Sequence, residues 1–263
     1  MPYTQQGRSY SEHPRCVIMP KVHLLLKKEE IDPFRISQNK VVVIFDILLA
    51  TSTITVALQF GAKEVIPVLN GEEAIKEAAG REEESFVLVG EYQGRTIDGF
   101  LSPNPVELRE KLAGKTVILS TTNGTVALKK CADANTVYAA SILNGKAVAN
   151  HLMDHCRDET IILVCSGSSG EFNVEDFYGA GYFVECLLTK SEDEWELTDS
   201  TSAAHQFYLA YKEKGGSVLA QSRVGRMLAN SGYSEEVEFI SQESVFPIVP
   251  ILRNGLSLTN SEK

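Results

Sequence analysis

Five acidic residues stand where an α/β chain places reactive groups. Asp46 directly follows the apolar run Val41-Val42-Val43-Ile44-Phe45, Glu91 follows Gly90 after the run Ser85 to Val89, and Asp98 precedes Gly99. Glu175 and Asp176 open a stretch with helical character. A carboxylate set straight after five apolar strand residues is expected to be partly buried, and a buried charge requires a partner. Carboxylates at strand ends suit Mg²⁺, which takes hard oxygen ligands and bridges to a substrate phosphate. For Glu175 and Asp176 a second account is as good: acids in a first helical turn complement the helix dipole.

Three loops beside these acids share one character. Asp46 to Thr53, Ser120 to Thr125 and Ser166 to Gly170 are each rich in small hydroxyl residues or glycine, and each precedes a helix. Unpaired N–H groups at a helix start favour an anion such as phosphate. Thr121-Thr122-Asn123-Gly124-Thr125 is the best candidate, because Gly124 lets backbone approach a ligand and the hydroxyls add donors; plain N-capping explains any one loop equally well. Familiar phosphate motifs are absent. There is no GxxxxGK followed by Ser or Thr, and no GxGxxG. A cysteine phosphatase has a cysteine, five residues and then arginine, and here Cys165 and the five residues 166–170 are followed by Glu171; two residues after Asp46 stands Leu48 rather than a second aspartate. His151 and His155 share a helix face at i and i+4 but have no third ligand near them, which reads as surface.

The elements that must carry these loops alternate. Residues 16–26, with alternating apolar residues, Val41–Phe45, 64–68, 85–89, 115–119, 136–140 and 160–165 read as strands; 54–60, 71–80, 126–130, 145–155 and 174–188 read as helices. That order predicts an α/β, three-layer α/β/α sandwich with a mostly parallel, mixed sheet and the polar loops outside the carboxyl ends of the strands. Residues 202–214 and 218–231 read as two further helices, and 245–252, with two prolines, as an edge strand or extended tail. The 263 residues are read as a single domain with residues 1–14 a loose extension. A formal net charge of −10 repels nucleic acid and anionic membranes. Five cysteines without close pairing, and no signal or spanning segment, point to free thiols in the cytoplasm.

These same segments carry a resemblance. The run 43–53, with Asp46 and the Ala-Thr-Ser-Thr turn; Gly90-Glu91-Tyr92-Gln93-Gly94 with Gly99-Phe100; Ser120 to Thr125; Cys165-Ser166-Gly167 with Glu175-Asp176 and Ala180-Gly181; Ser222 to Arg226; and Val249-Pro250 are, in that order, similar to the 2-phosphosulfolactate phosphatase family. The chain has Leu49, Leu101 and Val224 where that family usually has Arg, Asp and His. The resemblance implies Mg²⁺-dependent hydrolysis of phosphosulfolactate to sulfolactate and phosphate, a step toward sulfolactate and, in methanogens, coenzyme M. On that reading Asp46, Glu91 and Asp176 hold Mg²⁺ and are the catalytic acids. Ser52, Thr53, Thr121, Thr122, Asn123, Gly124, Thr125 and Ser166 hold the phosphoryl oxygens, and Arg95 and Arg226 take the substrate's acidic groups. Water and an enzyme group such as Asp46 both stand as nucleophile. The partner implied is a small phosphorylated acid, without nucleic acid or membrane, and a homo-oligomer is compatible with it. A non-catalytic protein binding a phosphometabolite on the same scaffold is the rival.

Overall fold

A computed structural model of the chain describes residues 20–37, 39–156, 159–190 and 194–261. The expected N-terminal extension, and Cys16 at the start of the first expected strand, lie outside them. Among the described residues eleven strands form one sheet: β1 Lys21–Leu25, β2 Lys40–Phe45, β3 Glu64–Val68, β4 Phe86–Tyr92, β5 Arg95–Thr96, β6 Thr116–Ser120, β7 Thr136–Ala140, β8 Thr160–Cys165, β9 Glu196–Leu197, β10 Pro250–Arg253 and β11 Ser257–Asn260. Their spatial order is β5-β4-β6-β3-β11-β10-β7-β2-β8-β1-β9. Strands β7, β2, β8, β1 and β9 are mutually parallel, and so are β3, β6 and β4. The expected mixed three-layer sandwich is what forms.

Continuous apolar runs produce the parallel strands because such strands are covered on both faces. Val41 to Phe45 are all fully buried. Val41, Val43 and Phe45 pack on one face with Phe183, Tyr178 and Leu187 of helix Val174–Lys190, while Val42 and Ile44 pack on the other with Ile54 and Ala57 of helix Ala50–Gln59. Burying a side chain of this size contributes about 1.5–3 kcal/mol, so β2 is a rigid mount for the Asp46 that ends it.

The segment expected at an edge instead lies in the middle. β10 pairs antiparallel with β7 and with β11, and β11 pairs antiparallel with β3. Pro250 is tolerated because it is the first residue of its strand, and Asn254 and Gly255, both at positive φ, turn the chain back into β11. The three antiparallel joints reverse direction, so the β3-β6-β4 block runs opposite to the β7-β2-β8-β1 block. Helix Ala50–Gln59 joins the two blocks: its Ile54 and Ala57 share one apolar cluster with Ile44, Val164, Val65 and Val117 from the blocks and Leu258 from the hairpin between them.

The helix expected over 218–231 is two. Ser222 is extended (φ −64°, ψ 164°) and its hydroxyl caps the second helix, Arg223–Asn230, by accepting from Gly225 N at 2.8 Å. A side chain at Gly225 would collide with the Leu219 carbonyl, so only glycine lets the two helices fold this tightly. A further helix, Ser234–Ile240, follows.

Candidate active site

A cleft of about 1050 Å³ opens where the carboxyl ends of the two blocks converge. Asp46, Glu91, Arg95, Thr121, Thr122 and Asn123 line it, drawn from β2, β4, β5 and the loop after β6. Those six expected residues come together and Gly124 lies directly against Asp46; Ser52, Thr53, Thr125, Ser166, Asp176 and Arg226 do not line the cleft.

Ser52 and Thr53 are buried in helix Ala50–Gln59, and their hydroxyls are used inside the protein. Ser52 Oγ donates to Ile47 O at 2.9 Å; Thr53 Oγ1 donates to Leu49 O at 3.0 Å and Pro103 O at 2.6 Å. Small hydroxyls in a helix bond back to carbonyls one turn earlier, and in a buried helix no water competes. Thr125 does the same: its Oγ1 donates to Thr121 O at 2.8 Å and accepts from Thr121 N at 3.1 Å. Ser166 is fully buried, and among the described residues its Oγ has no hydrogen-bond partner. Arg226 points away from the cleft and donates to Gln221 O.

The Thr121–Thr125 turn is an anion cradle, and the protein's own carboxylates already fill much of it. Glu91 Oε1 accepts from Thr122 N at 2.6 Å, and Oε2 accepts from Thr122 Oγ1 at 3.1 Å and Gly94 N at 2.8 Å. The Asp46 carboxylate accepts from Gly124 N and Ala50 N. Gly124 has no room for a side chain: a Cβ there would lie 2.7 Å from Asp46 Oδ2 and overlap Ala50 Cβ. Gly124→Ala is therefore expected to displace Asp46, lowering stability by about 1–3 kcal/mol and activity by at least tenfold. Thermal melting and an activity assay check both.

Asp176 is 1 % exposed and holds two loops together: Oδ1 accepts from Ile47 N at 2.9 Å and Oδ2 from Gly167 N at 3.1 Å. It pins the loop after β2 to the loop after β8. Among the described residues no three His, Cys, Asp or Glu side chains form a metal cage. Glu175, equally buried, has an Oε1 without a partner among the described residues. Burial, then the charges of Glu91 and Glu175, pushes Asp46 up to about 7 against the pull of the two amides. Burial and then Asp46 and Glu175 push Asp176 well up, and burial pushes Glu175 up. The Cys165 thiol is driven well up by burial, which leaves no thiolate to act as nucleophile.

Sequence reasoning missed two cations. Lys28 is nearly buried; its Nζ donates to Asn123 Oδ1 at 3.0 Å and lies 3.1 Å from Glu29 Oε1. It follows β1, which is parallel to β8, so the strand-end rule that found Asp46 would have found Lys28 had it been applied to the strand expected over 16–26. Arg223 reaches the loop after β8, donating to the Ser168 hydroxyl and to Asn173 Oδ1 at 3.3 Å. The helix break at Ser222 turns Arg223, not Arg226, into the cleft. Lys28, Arg95 and Arg223 thus share a wall with Asp46 and Glu91.

No helix of the described residues is long and apolar enough to cross a membrane. Three relatives align over most of their length, each named "Probable 2-phosphosulfolactate phosphatase". The protein of Caldanaerobacter subterraneus subsp. tengcongensis is 40% identical over 227 residues, covering 86% of this chain and 92% of its own. That of Clostridium perfringens strain SM101 is 38% identical, covering 89% and 94%, and that of Clostridium acetobutylicum is 34% identical, covering 89% and 98%. A sequence profile of 2-phosphosulpholactate phosphatase matches residues 25–255, and with these relatives it shows that the chain belongs to that family.

Proposed function

We propose that the chain is a cytoplasmic, Mg²⁺-dependent phosphoric monoester hydrolase acting on 2-phosphosulfolactate or a similar 2-hydroxy acid phosphate. The observation that carries this is the meeting of Asp46 and Glu91 with Lys28, Arg95 and Arg223 in one cleft. Family membership and the relatives' printed names support the phosphatase chemistry. Free thiols at Cys131, Cys156, Cys165 and Cys186 suit a reducing compartment.

The donor chemistry fits the ion. Every acid in or behind the cleft is a hard oxygen donor, and the charge of Glu91 acts on Asp46 strongly enough to raise it. Mg²⁺ is bound through one or two carboxylates plus water and substrate phosphate, so a two-carboxylate set suffices without a third protein ligand. Asp46 and Glu91, which line the cleft, would hold the ion; Asp176, which does not line it, would keep the two loops in place behind them. When bound, the ion supplies charge neutralisation to the phosphoryl group. The protein's part is positioning. Lys28 and Arg223 grip phosphoryl oxygens, Arg223 being oriented by Ser168 and Asn173 and Lys28 by Asn123. Arg95 takes an acidic group of the substrate. Over the whole reaction a water oxygen becomes bonded to phosphorus, the phosphorus–ester oxygen bond breaks, and the released alkoxide takes up a proton from that water to give the hydroxy acid and inorganic phosphate.

Phosphate release from 2-phosphosulfolactate is the test. Turnover in Mg²⁺ that EDTA abolishes is expected. Release indifferent to EDTA removes the ion from the reading, and no release under either condition favours a binding protein on this scaffold.

A further inference from the structure

The cleft is larger than a three-carbon acid needs; its volume is at the upper end of what drug-sized ligands occupy. Its walls are also ordered along one helix. Arg223, Val224, Met227, Leu228 and Ser231 line it at the i, i+1, i+4, i+5 and i+8 spacing of a single helical face. At 1.5 Å per residue, Ser231 stands about 12 Å along the axis from Arg223. Between these ends the wall is apolar: Val224, Met227 and Leu228 on the helix, with Leu48 and Leu49 from the loop after β2.

The next helix, Ser234–Ile240, adds a carboxylate to the same cleft. Glu236 is 8 % exposed yet lines the cleft, where its Oε1 accepts from Asn104 Nδ2 at 2.8 Å. Asn104 is itself 2 % exposed and fixed by its own Oδ1, which accepts from Val106 N at 3.0 Å. Among the described residues no Lys, Arg or His forms an ion pair with Glu236. A carboxylate this buried requires donors, and among the described residues the hydrogen bond it receives is the one from the Asn104 amide.

We infer that Asn104 and Glu236 form a distal subsite for a hydrogen-bond donor, a hydroxyl or ammonium group, on a phosphate monoester whose apolar body lies along Val224, Met227 and Leu228. The inference rests on the phosphate end proposed above. It adds a substrate class: phosphate esters of extended, donor-ended alcohols.

Three non-hydrolysable probes test it on the full chain with Mg²⁺ by calorimetry: hexylphosphonate, 6-hydroxyhexylphosphonate and 6-aminohexylphosphonate. At least one donor-ended probe is expected to bind tenfold or more tightly than hexylphosphonate, and comparing the two tells hydroxyl from ammonium. In Glu236→Gln, which keeps an acceptor for Asn104, the advantage is expected to fall below threefold, with melting temperature as the control for folding. Equal binding of all three probes, no binding of any, or an advantage that survives Glu236→Gln overturns the inference. If 2-phosphosulfolactate releases phosphate while the probes bind alike, only the distal subsite fails. If the Glu236-dependent preference holds while no phosphate is released, only the phosphatase reading fails.

Discussion

Replacing Asp46 by asparagine is expected to lower turnover of 2-phosphosulfolactate at least 10³-fold while the chain stays folded. The side chain follows a rigid strand, is seated by two amides, and is nearly buried in the cleft wall. An amide oxygen brings no negative charge to a divalent cation and holds it more weakly than a carboxylate, and losing one electrostatic stabiliser at a phosphoryl centre costs about 10²–10³-fold or more. Stability should move the opposite way. Asp46 is raised to about 7 in the folded chain against an ordinary carboxylate value near 4. A raised acid stabilises the fold while protonated, so its contribution is full below about pH 4 and lost as pH rises through about 7. In EDTA the melting temperature of the parent protein is expected to fall between pH 5 and 8, and that of Asp46→Asn to fall less. At pH 8 the variant should be the more stable by about 1–3 kcal/mol, and added Mg²⁺ should raise the parent and not the variant. Unchanged kinetics would remove Asp46 from the site.

Arg223→Ala is expected to cut kcat/KM about 10²-fold, while Arg226→Ala, three residues along the same helix, stays within about twofold. Arg223 is held by Ser168 and Asn173 at the rim of the cleft, whereas Arg226 spends its guanidinium on a backbone carbonyl at the surface. A guanidinium on phosphate forms charge-assisted bonds worth several times a surface contact. Arg223→Lys should recover only part of the loss, since an ammonium lacks the planar fork. Steady-state kinetics of the three variants decide it, and equal losses at 223 and 226 would place both in helix stability instead.

Much of this arrangement was legible in the sequence. β3, β7 and β8 fall on the expected residues and β2, β4 and β6 within a few, because strands covered on both faces must be continuously apolar. Asp46 was legible for the converse reason, as the charge that interrupts such a run. Three things were not. The β10–β11 hairpin was hidden by its prolines and brevity; only its partners β3 and β7, distant in sequence, show that it belongs mid-sheet. Hydroxyl-rich composition marked Ser52, Thr53 and Thr125 as ligands, but composition does not say whether a hydroxyl faces a cleft or the carbonyl one turn back. The choice between Arg223 and Arg226 depended on a helix break, set by Ser222 and the close approach at Gly225, that periodicity alone runs straight through.

The central claim is tested most directly by a crystal grown with Mn²⁺ and phosphate, with anomalous diffraction measured at the manganese edge. The expected result is one strong peak bounded by the Asp46 and Glu91 carboxylates, with the phosphate beside it on Lys28 and Arg223. A peak elsewhere, or phosphate bound away from those two cations, would contradict it.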